Sequence, residues 1–238
     1  MVKNHLKRLN APKSWPIKKK EAIWIIRPNP GAHELANSIP LTIALRDLLK
    51  HAKTTREVKH IVYNKEVLID GKRRKDLAYP VGLMDVISIP EIKENHRLLF
   101  NKKGKISAVK IDDKESKIKV CKIRQKKLSK GKTQLNTTDG RNILVEKDTY
   151  KVGDSVVIEF EKQKIIQHLK LEKGALIYLT GGKHIGSVGK IETIDNKKII
   201  FKTKENDVYE TLKKFAFVIG EEKAVITIEK WMTWKISG

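Results

Sequence analysis

The stretch VLIDGKRRK at positions 67–75 decides how the first half of this chain folds. Its first three residues are apolar and β-forming, and Asp70-Gly71 is a pair typical of a two-residue hairpin turn. Four cations follow directly, from Lys72 to Lys75. The stretch therefore predicts a tight hairpin that crowds positive charge beside its turn, which is electrostatically costly unless an anion binds there.

Two short helices are predicted immediately before the hairpin. Apolar residues recur at three- and four-residue steps from Leu41 to Ala52, which predicts a helix with one buried face. Thr54 and Glu57 have the spacing of a capping box, so a second helix should start there and end at Asn64. The cations of both helices are then left on outward-facing stripes.

The sequence after the hairpin completes a module. MDVISI at 84–89 predicts a further strand after a turn at Gly82. Together, the helix pair, VLIDGK and MDVISI resemble the S4 domain, a small RNA-binding module that also occurs in pseudouridine synthases and in a group of tyrosyl-tRNA synthetases. The resemblance implies RNA binding without naming a process. The candidate phosphate contacts of this module are Arg46, Lys50, Lys53, Arg56, Lys59, Lys72, Arg73 and Arg74.

Composition also indicates a polyanionic partner. The chain has 51 Lys and Arg against 28 Asp and Glu, a net charge of +23, so nucleic acid is expected and a membrane surface is the weak alternative. No run of about 18 apolar residues occurs and the N-terminus has no hydrophobic signal core, which predicts a cytoplasmic protein. Cys121 is the single cysteine, so we expect a buried, inert thiol.

Residues 1–40 are basic and contain five prolines, which predicts an arm that orders on contact with RNA. Trp15 could stack on a base or pack against the neighbouring domain, whereas Trp24, inside the apolar cluster at 23–26, is expected to pack. His5 and His33 have no metal-ligand spacing and are expected at the surface. The candidate RNA contacts of the arm are Lys7, Arg8, Lys13, Trp15, Lys18, Lys19, Lys20 and Arg27.

Two strand-rich modules are predicted after the S4-like segment. Period-two alternation with glycine turns predicts a small β-barrel at 96–170, in which the basic run at 124–132 is an exposed loop, either solvated or a phosphate-contacting finger. From 171 to 230, a strand, a glycine loop and a strand resemble the KOW motif and predict an SH3-like barrel that includes a strand at 224–228. The candidate contacts here are Lys126, Lys127, Lys130, Arg141, Lys183 and His184.

Longer segments resemble one family along nearly the whole chain. HLKRLNAPKSWPI at 5–17, WIIRPNPG at 24–31, DGRNILV at 139–145 and TGGKH at 180–184 are similar to the archaeal and eukaryotic S4e family of small-subunit ribosomal proteins. That resemblance implies a structural constituent of the small ribosomal subunit that binds and stabilises folded rRNA during assembly and translation. Its implied partners are small-subunit rRNA and neighbouring ribosomal proteins, in the cytoplasm on the ribosome.

The predicted fold class is α+β, and no catalytic site is predicted. The boundaries are 1–40 for the arm, 41–95 for the S4-type domain, 96–170 for the central barrel, 171–230 for the KOW domain and 231–238 for a tail that could pack on it. We expect no cofactor, metal, small-molecule substrate, membrane or homo-oligomer. A nucleotide-binding loop is disfavoured because the phosphate-loop consensus is not met at Gly181. The alternative functions are an RNA-modifying enzyme subunit and a free RNA chaperone.

Overall fold

The computed structural model describes residues 4–129, 131–146, 148–203 and 206–228. The predictions for Lys130 and for the tail at 231–238 therefore lie outside the described residues. The chain divides into two compact units, one made of 1–100 with 104–117 and the other of 101–103 with the residues from 118 onward.

The first unit is built around an antiparallel sheet of five strands in the order β5-β4-β7-β8-β9, accompanied by the two-stranded ribbons β1-β2 and β3-β6. Its elements in chain order are β1 (His5–Lys7), β2 (Trp24–Ile26), β3 (Ser38–Pro40), α1 (Leu41–Ile43), α2 (Thr55–Asn64), β4 (Leu68–Ile69), β5 (Lys72–Arg73), β6 (Pro80–Gly82), β7 (Val86–Ile89), β8 (Glu94–Phe100), β9 (Ile106–Lys110) and α3 (Asp113–Ser116).

The predicted hairpin is confirmed as β4 and β5. Asp70 and Gly71 have φ angles of 50° and 73°, the positive values that a two-residue hairpin turn of this type requires. The Asp70 carboxylate also accepts a hydrogen bond from the backbone N–H of Val86, at 3.0 Å, which ties the turn to β7. Leu68 pairs with Ser88 and Ile69 with Ile87, so the hairpin joins the main sheet through β4.

The second predicted helix is confirmed and the first is shorter than predicted. Thr54 Oγ1 accepts from the backbone N–H of Glu57 at 3.3 Å, and the Glu57 carboxylate accepts from that of Lys53 at 2.8 Å. Upstream, α1 has a single α-helical turn and continues through wider π-helical turns over Ala44–Leu48. The chain leaves these turns at Lys50, whose φ is 59°. Tertiary packing of a fully buried start, from Leu41 to Leu45, overrides the longer periodic pattern.

Residues 4–40 are part of the first unit and pack against the rest of it. The prediction of an arm that orders only on contact is therefore wrong. Backbone N–H groups of Asn29, Leu83 and Ile106 bond this segment to the rest of the unit, the last donating to the Ser14 carbonyl at 2.8 Å. Trp15 is 1% exposed. The prolines prevent helix formation, but the apolar residues between them still need burial and find it against the S4-type module.

The boundary predicted at 95/96 is also wrong. Strand β8 pairs with β7 and β9 pairs with β8, so the segment at 105–109, assigned from sequence to the central barrel, extends the S4-type sheet. A short 3₁₀ turn over Pro90–Ile92 and a left-handed Lys93, with φ of 52°, reverse the chain between β7 and β8. Alternation identifies a strand, but it does not identify which sheet the strand joins.

The second unit contains two five-stranded antiparallel sheets, in the orders β12-β11-β10-β13-β14 and β18-β17-β16-β15-β19. Their strands are β10 (Ile118–Ser129), β11 (Lys132–Thr137), β12 (Asn142–Val145), β13 (Ser155–Glu159), β14 (Ile165–Leu169), β15 (Leu176–Leu179), β16 (Val188–Ile194), β17 (Lys198–Thr203), β18 (Val208–Leu212) and β19 (Ala216–Gly220).

Two details of this unit differ from the sequence prediction. The basic run at 124–132 is not a loop: it continues β10, where Lys126 pairs with Leu135 and Ser129 with Lys132 across a long hairpin. The strand expected at 224–228 is reduced to one bridge between Gly220 and Ala224, and the last strand is β19. Both errors arise because polar exposed strands lack apolar alternation, whereas short apolar loops can show it.

The core of the first of these sheets surrounds Cys121. It packs with Ile123, Leu135, Val156 and Ile158, and all five side chains are buried. Burial, together with the neighbouring Asp139 carboxylate, raises the pKa of the Cys121 thiol well above its ordinary value. The prediction of a buried, inert cysteine is therefore confirmed.

Candidate nucleic-acid interface

The outward face of α2 is a basic stripe. Arg56, Lys59, His60 and Tyr63 are spaced three or four residues apart and are all exposed, while Val58 on the opposite face is fully buried. The Lys59 ammonium lies 5.8 Å from the centroid of the Tyr63 ring. The stripe thus combines three polar or cationic groups with one aromatic ring that is 48% exposed.

Arg73 connects this stripe to the hairpin. Its guanidinium donates to the backbone carbonyl of Tyr63 at 3.3 Å and to that of Lys65 at 3.4 Å, at the C-terminal end of α2. Carbonyls at a helix C-terminus carry partial negative charge and lack intrahelical donors, so a cation is favourable there. The contact ties β5, the strand that also carries the exposed Lys72, to the C-terminal end of α2. We call Arg56, Lys59, His60, Lys72 and Arg73 the helix–hairpin surface.

The predicted cations of this module fall into two groups. Among the described residues, Lys50, Lys53, Arg56 and Lys72 are exposed, and their side chains make no hydrogen bond or ion pair. Arg46 instead bonds Asp47 through two nitrogens, at 2.8 and 2.9 Å.

Arg74 also supports the fold, and its role as a phosphate contact stays a prediction. Its guanidinium stacks 4.6 Å from the centroid of the Tyr79 ring and is half-buried. Arg46 and Arg74 therefore stabilise the module, while the exposed group remains available to a partner.

The N-terminal cations divide in the same way. Arg8 is only 6% exposed, and its guanidinium donates to the Lys18 carbonyl at 2.9 Å and to Glu21 at 3.1 Å. Lys19 donates to the Ala11 carbonyl. The prediction of Arg8 as an RNA contact is therefore wrong, because its charge is already neutralised inside the fold. The remaining predicted cations of the segment are exposed or half-buried: Lys7, Lys13, Lys18, Lys20 and Arg27.

The two N-terminal tryptophans have opposite environments. Trp15 Nε1 donates to the Ser38 carbonyl at 2.7 Å inside the core, so Trp15 cannot stack on a base and its prediction as an RNA contact is wrong. Trp24, expected to pack, is 57% exposed. The pairing of β1 and β2 puts Trp24 on an exposed ribbon, and this pairing is not evident from the sequence.

Cations of the central sheet are largely engaged internally. Lys126 donates to Asp148 and, at 2.6 Å, to the Tyr150 carbonyl. Lys127 is exposed on the same strand. Arg141 lies 2.9 Å from Asp139 and over the ring of Phe160, with 5.4 Å to the centroid. Arg141 therefore belongs to a structural network, and its role as an RNA contact stays a prediction.

That network is centred on Asp139. The buried ammonium of Lys119, whose side chain is 2% exposed, lies 3.1 Å from the Asp139 carboxylate. Burial opposes ionisation of Asp139, but Lys119, the Thr137 hydroxyl and Arg141 together hold its pKa below the ordinary value. A buried charge that is paired and hydrogen-bonded in this way holds the sheet together and is not accessible to a ligand.

The glycine loop of the third sheet places its two candidate residues differently. Lys183 is exposed at the loop tip. His184 stacks on Tyr209, with ring centroids 4.1 Å apart and an interplanar angle of 30°, and its role as an RNA contact stays a prediction. Gly182 has a φ of 84°, and a Cβ at Gly181 would collide with the ring of Phe215. The loop therefore requires glycine at both positions.

Two buried polar contacts, one of His33 and one of Lys122, are not evident from the sequence. His33, expected at the surface, lies 2.9 Å from Asp85, and the two side chains are 6% and 4% exposed. Lys122 donates to the backbone carbonyls of Lys213, Lys214 and Ala216, the last at 2.5 Å. Burial, with the nearby charge of Lys213, lowers the pKa of Lys122 to about 8. No local pattern identifies either pair, because the partners are distant in the chain.

The described residues contain no group of His, Cys, Asp or Glu that could hold a metal ion. Within the same part of the chain, no helix is long and apolar enough to cross a membrane. Beside β2 there is a cleft of about 410 Å³ whose lining includes Arg27, Asn29 and His33.

Similarity to known proteins identifies the family. The chain is 40% identical over 240 residues to the small ribosomal subunit protein eS4 of Methanococcus maripaludis, a match that covers 95% of this chain and 98% of that protein. The chain belongs to the S4e family of small-subunit ribosomal proteins. The eS4 protein of Methanosphaera stadtmanae is 45% identical over 233 residues, with coverage of 95% and 96%.

Domain patterns and a solved structure agree with the S4e assignment. The patterns described as RS4NT (NUC023) domain, S4 domain and Ribosomal family S4e match residues 2–36, 48–87 and 92–165. The crystal structure of the 30S ribosomal protein S4e from Thermoplasma acidophilum superposes with a TM-score of 0.68 at 31% identity, covering 78% of this chain and 96% of that one. Members of the S4e family are structural proteins, so the prediction of a non-enzymatic protein is confirmed.

Proposed function

We propose that this S4e protein binds folded small-subunit rRNA and stabilises it during assembly and translation, through the helix–hairpin surface of its S4-type module. The proposal includes neighbouring ribosomal proteins as further partners, and the ribosome in the cytoplasm as its location. Its relatives carry the name small ribosomal subunit protein, which supports the location.

One observation carries the proposal. Arg73 holds the hairpin against α2 by bonding the C-terminal carbonyls of that helix, which supports a binding surface that both elements share. Arg56 and Lys72 on that surface have no internal counterion among the described residues. Exposed cations held on rigid elements suit the phosphate spacing of folded RNA, since phosphate contacts position a protein on nucleic acid.

The rest of the chain supplies further exposed cations on separate scaffolds. In the third sheet, β19 returns to pair with β15, the strand order of an SH3-like barrel, and we assign the loop between β15 and β16 as a KOW-type loop with Lys183 as its RNA-facing cation. Lys127 has the same role on the β10-β11 hairpin. Several modules that each contact phosphates recognise the shape of an RNA more than its sequence.

Charge reversal of Arg56 and Lys72 tests the function directly. We expect Arg56→Glu with Lys72→Glu to weaken binding of the purified full chain to small-subunit rRNA and to lower the slope of log affinity against log salt by about two, since each lost phosphate contact removes roughly one counterion. Stability should change by no more than about 0.5 kcal/mol, because both side chains are solvated.

The matched control reverses two exposed cations outside this surface, Lys103 and Lys114, which changes the net charge by the same amount. We expect the control to keep most of the salt slope. Equal losses in both double variants would mean that net charge alone drives binding. Unchanged affinity in the Arg56 and Lys72 variant would contradict the helix–hairpin surface as the binding site, and a tagged chain that sediments free of small subunits would favour an RNA chaperone.

A further inference from the structure

The β1-β2 ribbon has one outward face with aromatic and basic side chains. Antiparallel pairing sets His5 opposite Ile26 and Lys7 opposite Trp24. Residues two apart on a strand share a face, so these four side chains point the same way, while Leu6 points inward and is buried. The ring centroids of His5 and Trp24 are 5.7 Å apart.

Three apolar side chains in or next to this ribbon are exposed. Trp24 is 57% exposed, and Ile23 and Leu9 beside it are 71% and 69% exposed. Chain reversal brings Leu9 close to Ile23, because the Arg8 backbone N–H donates to the Ile23 carbonyl at 2.8 Å. A cluster of exposed apolar residues on a folded scaffold marks an interaction site.

The charge around the cluster is positive. Lys7 lies directly across the ribbon from Trp24, and Lys20 is exposed nearby in sequence. Glu21 is the single acidic residue before Glu34, and it is already paired with Arg8 at 3.1 Å and with Lys18 at 3.6 Å. The face therefore offers an aromatic ring next to Lys7, whose side chain makes no ion pair among the described residues.

We infer that this ribbon face is a stacking platform for an unpaired nucleotide of small-subunit rRNA, with Trp24 against the base and Lys7 on an adjoining phosphate. The inference rests on the proposed rRNA-binding function and assigns a separate site to it. Single-stranded RNA is bound by aromatic rings interleaved with Lys and Arg. A protein partner fits less well, because lysine is depleted from the cores of protein–protein interfaces.

Substitutions at Trp24 separate stacking from general apolar contact. In equilibrium binding of the purified full chain to small-subunit rRNA, we expect Trp24→Leu to weaken binding roughly 5- to 150-fold, the range for loss of one stacked base. Trp24→Phe should retain most of the affinity, since it keeps a ring. Neither variant should change the salt slope, whereas Lys7→Ala should lower that slope by about one.

The outcomes distinguish this site from the helix–hairpin surface. Equal affinities of the Phe and Leu variants, whether both near wild type or both weak, would overturn the stacking assignment. A Leu variant that binds rRNA normally yet enters subunits poorly would show that a ribosomal protein covers this face instead, which also overturns it. The Arg56 and Lys72 double variant, measured in the same assay, reports on rRNA binding as such, so the proposed function can hold when the platform fails.

Discussion

The S4-type module and the central sheet are both rich in cations, yet they use them in opposite ways. On the module, the side chains of Lys50, Lys53, Arg56 and Lys72 are exposed and make no hydrogen bond or ion pair within the described residues. In the central sheet, Lys119 and Arg141 converge on the single carboxylate of Asp139. The net charge of the chain includes cations that are already paired inside the fold. Binding to a polyanion depends on the cations that have no internal acceptor.

The largest expected effect breaks the buried network of the central sheet. Asp139→Ala leaves the Lys119 ammonium buried without its carboxylate partner, so we expect a loss of about 3–5 kcal/mol in the free energy of unfolding, measured by urea denaturation. The matched control is Lys127→Ala, because Lys127 is an exposed residue of β10, the strand that also carries Lys119. This variant should change stability by at most about 0.5 kcal/mol. Similar losses in both variants would contradict the distinction between the two kinds of cation.

The same network predicts a dependence on pH. The pKa of Asp139 is lower in the folded protein than in the unfolded chain, despite burial, because Lys119, Thr137 and Arg141 favour the carboxylate. Its stabilisation is therefore present above the unfolded pKa of about 4 and is lost as pH falls toward the folded value. We expect the stability of Asp139→Asn, measured between pH 6 and 2.5, to fall less steeply than that of the wild type. Parallel curves would exclude Asp139 as the titrating group.

A smaller effect on stability is expected in the hairpin, where Arg73 and Lys72 can be compared. The Arg73 side chain donates to two carbonyls at the end of α2. The side chain of its neighbour Lys72 makes no hydrogen bond or ion pair among the described residues. We expect Arg73→Ala to cost about 0.5–1 kcal/mol of stability, and Lys72→Ala to leave stability unchanged while lowering the salt slope of rRNA binding by about one. Circular dichroism melts and filter binding of the two variants provide the measurement. A stability loss with Lys72→Ala instead would reverse the assigned roles.

Local sequence signals predicted the local structure well. Asp70-Gly71 predicted its hairpin and Thr54 with Glu57 predicted the start of α2, because turn geometry and helix capping depend on residues that are close in the chain. The sequence analysis wrongly assigned 105–109 to the central barrel. It was also wrong to assign 1–40 to an arm that orders on contact. Both depended on distant partners, β8 for the strand and the S4-type module for the arm.

The candidate site was predicted as a region and not residue by residue. Sequence placed cations on α2 and the hairpin, but it could not tell that Arg74 stacks on Tyr79 or that Arg8 is bonded to Glu21. It also left Trp15 open between stacking and packing, and it expected the exposed Trp24 to pack. Cationic and aromatic side chains are long and amphipathic, so the same residue type serves equally well as packing or as a ligand contact.

The sequence alone indicates a modular, strongly basic protein of the S4e type, since charge, turn pairs and family segments are properties of the linear chain. The tertiary structure determines which cationic side chains have no internal acceptor and can bind a partner. Arg73, Arg141 and Lys122 find carbonyls or carboxylates that other elements bring to them, while Arg56 and Lys72 do not. Neutralisation acts through space over a few ångströms, so it is set by the packing of distant segments.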